Sequence, residues 1–281
     1  VTLKRGIPAA TVVLAWTLLC FPRCAGSDVS EIFDWLFSDL NLVSIEEEAE
    51  ISQHLARDIE SKQPMVHDPE VEQYVTDLGE RLVRVIRRPD FRYRFLVARD
   101  RTVNAFGIGG GRIYVNAGLL AAAETEGQLA AVLAHEIGHQ VRRHVAKQIS
   151  RQAVFENLAR AAIGSHASEW INLAAGLGIT TGQLYFGREA EREADSVMVD
   201  LLPRAGYDPR EALAMFAKLR ALEGRDPGAV ATLLSSHPPT QERSENIREA
   251  IARRRLPANL IRDSSRFQEV RRRILSEIPA P

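Results

Sequence analysis

The sequence predicts an α+β fold that is predominantly helical and carries one small three-stranded sheet. Apolar residues recur at helical spacing through Glu46–Lys62, from Asp68-Pro69 to about Arg87, through Glu126–Ile149 and through Arg210–Leu222. Between the second and third stretches, Phe91–Val97 alternates as a strand should, and Thr102–Gly107 and Arg112–Asn116 read as two more strands. Inside the third stretch stand His135-Glu136-Ile137-Gly138-His139, two histidines four residues apart with a glutamate beside the first.

At 281 residues and 45% hydrophobic, the chain can bury a real core in one domain or two. Its formal net charge is −1, so no electrostatic argument favours nucleic acid as a partner. All seven histidines fall between residues 54 and 240, the motif-rich part of the chain.

Residues 1–26 read as a secretory signal peptide. Lys4 and Arg5 form its basic start, Ile7–Leu19 its apolar stretch, and Cys24-Ala25-Gly26 its cleavage site. The apolar stretch is short for a membrane span, and an uncleaved anchor is the alternative. Leu18-Leu19-Cys20 places a bulky residue where a lipidation motif wants a small one. Cleavage would remove both cysteines, so no disulfide is expected. It would also remove Lys4, Arg5 and Arg23 and no acid, leaving 33 basic against 37 acidic residues, a net of −4. The compartment implied is the bacterial periplasm or the secreted space.

Residues 27–64 read as an N-terminal helical segment. Its first part, Asp28–Leu42, is apolar enough to dock on the domain or, less simply, to make a peripheral membrane contact. In its second part, the Glu46-Glu47-Glu48 cluster is expected on a solvated face, and Pro64 ends the helix. Asp68-Pro69 then opens the next helix as N-cap and first residue. Four glycines in residues 107–111 supply the backbone angles of a tight connection between the second and third strands. Thr125, with Gln128 three residues on, fits a capping box at the start of the third helix. Ala153–Phe186 is rich in Ala, Gly, Leu and Ile, and is read as core packing, then as a lid, then as membrane contact. Gly206-Tyr207-Asp208-Pro209 turns the chain into Arg210–Leu222, and Gly224–Gly228 is a loop. Thr240–Arg255 is a polar helix, and Ser265–Leu275 a short one within a basic tail, 251–281. The chain holds no internal repeat.

The H-E-x-x-H pattern has a chemical reading. On a helix, residues i and i+4 share a face, so His135 and His139 can offer two imidazole nitrogens to one ion. Glu136 then stands where a carboxylate can take a proton from water. A catalytic zinc site commonly has three protein ligands, so a third is needed. The acidic run Arg188–Asp195 offers Glu189, Glu191 and Glu193. Glu191 and Asp195 are i,i+4 and share a face, whereas Glu193 points about 200° away from Glu191. With Glu191 on the metal, Asp195 could accept the free N–H of a ligand histidine. Taken alone, the run would be a solvated helix face.

These residues lie in a denser pattern. Glu126-x-Gln128-Leu129-Ala130 leads into the histidine motif, Arg143-His144 follows it, and Glu191-x-x-x-Asp195 comes later. Upstream stand Asn104-Ala105-Phe106, glycines 109–111 and Ile113-x-Val115-x-x-Gly118-Leu119. Downstream stands Ser236-His237-Pro238-Pro239-Thr240-x-Glu242-Arg243. Over roughly residues 45–250 this order resembles the zinc metallopeptidases of the HtpX, BepA and CAAX prenyl protease type. The resemblance implies a zincin-like (gluzincin) domain over residues 65–250 and one Zn²⁺ held by His135, His139 and Glu191. It further implies Glu136 as general base, Asp195 as the residue orienting a ligand, and His237 near the zinc. There His237 would stabilise an oxyanion or close the site in a latent state; the plain alternative is a loop histidine. The family's interhelical segment, which can cover the active site, corresponds to Ala153–Phe186. The strand before the zinc helix is expected at a sheet edge, holding substrate by strand addition, so Ile113–Asn116 or the glycine loop should line the cleft. The pattern departs from the family at Ile108 and a third glycine, where a proline is more usual, so this loop is expected to be the more mobile.

The reading is then a secreted zinc endopeptidase acting on extended or misfolded envelope polypeptides. The alternative is a latent-site assembly factor or chaperone-like binder. Two neighbouring readings fail. A metzincin would need a third histidine at position 145, which is Val145, so His144 is expected to be structural or on the surface. An integral-membrane prenyl-protein protease would need several spans of about 20 apolar residues. The helical-repeat module of some periplasmic relatives is not expected within these residues.

Overall fold

The computed structural model describes residues 39–159, 176–177 and 184–277. The proposed signal 1–26, most of Asp28–Leu42 and most of Ala153–Phe186 lie outside the described residues. Residues 40–281 form one compact unit.

Helix α1 (Ile45–Lys62) starts at a full capping box. Ser44 Oγ accepts from the Glu47 amide at 3.1 Å, and Glu47 Oε2 accepts from the Ser44 amide at 2.8 Å. Helix α2 (Pro69–Val83) has Asp68 as N-cap and proline in its first turn. Strand β1 (Arg94–Ala98) begins three residues later than the alternation suggested; β2 (Ala105–Gly107) and β3 (Arg112–Asn116) follow. The connection between them is as demanding as its glycines imply: Gly109, Gly110 and Gly111 all take positive φ, at 83°, 57° and 79°. The loop is nevertheless tied down. Ser52 Oγ donates to Gly109 O at 2.9 Å, and Gln140 Oε1 accepts from the Gly111 amide at 3.1 Å.

The sheet order is β1-β3-β2, with β1 and β3 parallel and β2 and β3 antiparallel. This overturns the expectation that Ile113–Asn116 lies at an edge. Both sides of β3 are used by its neighbours, and among the described residues β2 has a free edge. Alternation along β3 divides the core. Ile113 and Val115 face the larger apolar cluster, and Tyr114 faces a smaller one beneath α1.

Helix α3 (Ala117–Ala122) follows β3 directly and is wholly buried; it has no amphipathic pattern by which to read it. The stretch Glu126–Ile149 is two helices, α4 (Glu126–Val141) and α5 (His144–Ala159). The chain breaks at Arg143, which sits at φ 53°. Periodicity could not reveal this, because neither glycine nor proline marks the break. The solvated face expected for Glu46-Glu47-Glu48 is also corrected: Glu48 is buried and pairs with Arg143 Nε at 2.7 Å. Helices α6 (Arg188–Arg204), α7 (Glu211–Glu223), α8 (Pro227–Ser236), α9 (Gln241–Ala252) and α10 (Ser265–Glu277) complete the described part. Helix α8 falls where only a loop and the residues after it were expected; Asp226 caps it and Pro227 opens it. Among the described residues no helix is long and apolar enough to cross a membrane.

Candidate metal centre

The centre forms where α4 crosses α6. Thr125 Oγ1 caps α4 by accepting from the Gln128 amide at 3.2 Å. The reciprocal half of the expected box is replaced, since Gln128 Oε1 accepts from Glu124 rather than from Thr125. The crossing is close because Gly138 has no side chain. A Cβ there would stand 2.8 Å from Ala194 O and 2.9 Å from its Cα, so any larger residue would push α6, and Glu191 with it, away from the histidines.

His135, Glu136, His139, Glu191, Asp195 and His237 are all buried. His135 Nε2 lies 3.1 Å from His139 Nε2 and 3.3 Å from His237 Nδ1. Glu191 Oε1 is 2.9 Å from His237 Nδ1 and 3.3 Å from His139 Nε2, and Glu191 Oε2 is 3.4 Å from His135 Nε2. These separations match the edges of a tetrahedron around an ion with bonds of about 2.1 Å, which are roughly 3.4 Å. The four donors all lie within 4.8 Å of one another. Three imidazole nitrogens converge there, and they cannot all be satisfied by protons shared among themselves. The donor set therefore fits a metal ion. Of the three competing glutamates, only Glu191 joins the histidines. Glu189 pairs with Arg192 at 2.6 Å, and Glu193 Oε2 lies 3.1 Å from His144 Nε2.

Glu136 belongs to the same centre without being one of the four donors. Its Oε2 accepts from the Gly107 amide of β2 at 3.1 Å, while its buried Oε1 has no hydrogen-bond partner and stands 3.6 Å from His237 Nε2. Burial pushes its carboxyl pKa up, against the opposing influence of His237 and His135. Burial would raise Glu191 as well, but His237 and His135 hold it well below the carboxylate range. His139 is pushed down to about 3 by burial, which leaves its nitrogen free to donate. His135 is raised to about 9: burial opposes a charge, but Asp195 and Glu191 outweigh it. The proton these two acids hold on His135 is one that a bound metal would displace.

Asp195 Oδ1 faces His135 Nδ1 at 3.0 Å, as the shared helix face suggested. Sequence reasoning gave no role to Arg243. Its Nε and Nη2 donate to the two oxygens of Asp195, each at 2.8 Å, and its Nη1 lies 2.7 Å from Glu191 Oε2, outside hydrogen-bond alignment. Phe186 was missed too; it stacks on His139 with ring centroids 4.1 Å apart. His144 is buried rather than on the surface, with Nδ1 2.9 Å from His139 Nδ1. Beside Glu136 and His237 opens an apolar recess lined by Val132, Met198, Met215, Phe216 and Leu219.

Residues 69–251 match peptidase family M48. The chain belongs to that family. A beta-barrel assembly-enhancing protease of Escherichia coli is 28% identical over 255 residues, covering 88% of this chain and 52% of the relative. A mitochondrial metalloendopeptidase OMA1 of Schizosaccharomyces pombe is 35% identical over 181 residues, covering 63% of this chain and 52% of the relative. The chain thus spans about half the length of these curated relatives. Family M48 membership accords with the mostly helical fold, the small sheet and the cluster of two motif histidines, Glu191 and His237.

Proposed function

We propose that this M48 chain is a zinc-dependent endopeptidase, with His135, His139 and Glu191 as ligands and Glu136 as general base. The observation that carries this reading is a buried carboxylate oxygen, Glu136 Oε1, left without a partner beside four convergent metal donors. Three imidazoles and a carboxylate suit Zn²⁺ better than the oxygen-seeking Mg²⁺ or Ca²⁺. A bound Zn²⁺ would supply Lewis acidity, polarising a peptide carbonyl and making water a stronger acid.

The chain's own residues supply the rest. Glu136 takes the proton from the attacking water and hands it to the leaving amine; its raised pKa suits a group that must both accept and release a proton. Gly107 holds the other oxygen of Glu136, and so ties the base to the free edge of β2. An extended polypeptide added at that edge would lie with its backbone across Glu136. Recognition through the backbone favours unfolded or extended segments over folded ones. The names of the bacterial relatives point to envelope proteins under assembly as substrates, hence to quality control in the periplasm or an equivalent secreted space, with peripheral membrane contact compatible with it.

A second reading is favoured by one observation. His237 Nδ1 stands at ligand spacing from both His135 and Glu191, so it would compete with water or substrate for an ion held there. In this reading the centre is latent, the chain acts as an assembly factor or binder, and His237 must swing out before cleavage. One experiment separates the two: hydrolysis of an unfolded protein by the zinc-loaded chain, beside Glu136→Gln and His237→Ala. Cleavage by wild type, with a loss of about 10²–10⁴-fold in Glu136→Gln at unchanged zinc content, supports the open peptidase. A zinc-loaded but inert wild type, with activity gained in His237→Ala, supports the latent one. A chain that binds no zinc refutes the ligand assignment.

A further inference from the structure

We propose that His144 and Glu193 are positioning residues that hold His139 in the tautomer able to bind metal through Nε2. The proposal rests on the metal site proposed above.

The argument is a count of protons. His139 Nδ1 and His144 Nδ1 lie 2.9 Å apart, a distance at which exactly one proton fits between them. Two N–H groups would collide there, and two lone pairs would repel. With the Nε2 lone pair of His139 turned to the metal centre, its proton must sit on Nδ1. His144 Nδ1 is then the acceptor, so the proton of His144 sits on Nε2 and needs an acceptor of its own. Glu193 Oε2 is there at 3.1 Å, and a carboxylate can only accept. Each bond fixes the direction of the next: Glu193 sets His144, and His144 sets His139. Phe186 stacks on the His139 ring and helps to fix its plane. The other motif histidine faces a carboxylate directly, at Asp195. His139 reaches its own through an interposed imidazole.

The helix break between α4 and α5 makes this possible. On an unbroken helix His144 would lie about 140° around the axis from His139, facing elsewhere. The positive φ of Arg143 folds the chain back, so that the first residue of α5 meets the last histidine of α4. Arg143 is held in that turn by Glu48 Oε2 and Val43 O, each at 2.7 Å.

The test reads zinc affinity by chelator competition on the full chain. Glu193→Gln keeps an acceptor oxygen for His144 and is expected to bind zinc within about threefold of wild type. Glu193→Lys presents a donor instead, drives the proton of His144 onto Nδ1 and is expected to weaken zinc at least tenfold. Glu189→Lys makes the same charge change on the same helix, away from the relay, and should leave affinity unchanged. Because Glu193 is partly exposed, these variants should melt with wild type before zinc is added. In the zinc-loaded chain, nitrogen-15 spectra of labelled histidines should show His144 protonated on Nε2 and His139 on Nδ1. A Glu193→Lys chain that binds zinc like wild type, or a His144 protonated on Nδ1 in the loaded chain, overturns the relay and leaves the metal site standing. A wild-type chain that binds no zinc overturns both.

Discussion

Arg243 is 7% exposed and faces two buried acids; burial would raise the Asp195 carboxyl, and the bonds from Arg243 do most to hold it down. Replacing it with leucine would keep an apolar side chain there and strand the Asp195 carboxylate. Breaking a buried pair in this way typically costs about 3–5 kcal/mol, far more than the pair contributes against a well-packed apolar alternative. Arg243→Leu should therefore lower the unfolding free energy of the metal-depleted chain by that amount, read as a lower urea midpoint at unchanged m, and zinc should recover part of the loss. Arg243→Lys should recover little, because one ammonium cannot reproduce a fork that spans both Asp195 oxygens and Pro238 O. An unchanged midpoint in Arg243→Leu would show that the acids had simply taken up protons. The histidine pair was legible at this scale because helix period alone brings residues four apart together, and the same rule joined Glu191 to Asp195. Arg243 stood at the end of the downstream motif, but its role was not legible: its partner Asp195 lies 48 residues earlier, beyond the reach of any local periodicity.

At the scale of elements, the turn between α4 and α5 sets two effects against each other. A non-glycine residue at φ 53° costs about 1–3 kcal/mol, so glycine at position 143 should relieve strain. The same substitution removes the cation from Glu48, whose side chain is only 1% exposed. Losing the partner of a buried charge costs about 3–5 kcal/mol and should win. Arg143→Gly is therefore expected to be destabilised at neutral pH, and Arg143→Gly with Glu48→Gln to regain most of the loss. The pH dependence has a definite sign. Burial raises the Glu48 carboxyl pKa even with Arg143 present, and removing the cation raises it further. A raised folded-state pKa gives stability that is fully present below the unfolded value and is lost as pH climbs through the folded one. The deficit of Arg143→Gly should thus shrink as pH is lowered toward 4; a deficit independent of pH would assign it to the turn itself. Apolar periodicity gave α1, α2 and α7 closely and the strand order not at all, because alternation says which face a residue takes and is silent about which strand lies beside which. The edge position expected for β3 came from the family resemblance, and the order β1-β3-β2 overturned it.

Across the whole molecule, the chain closes on itself through its C-terminal segment. Phe267, Val270 and Ile274 of α10 are buried in the same apolar cluster as the residues of α2, α3 and α4. Just before α10 the backbone clasps the start of α4: Arg262 O accepts from the Gly127 amide at 2.8 Å, and Asp263 Oδ1 accepts from the Glu126 amide at 3.1 Å. Two of the four amides that a helix N-terminus leaves unpaired are thus satisfied by a segment more than 130 residues away. The sequence showed this tail as a basic helix, and its charges, which lie on the outer face, concealed the three apolar anchors. Phe267→Ala should cost about 3–5 kcal/mol, the usual range for emptying a fully buried aromatic site. For a chain of this size that corresponds to a fall in Tm of roughly 6–20 °C, measurable by calorimetry. The clasp predicts one thing more than a simple loss of packing: amides 126 and 127 should exchange with solvent faster in Phe267→Ala than amides in the middle of α4. If both exchange at the wild-type rate while Tm falls, α10 is packing alone, and the start of the metal-bearing helix holds itself.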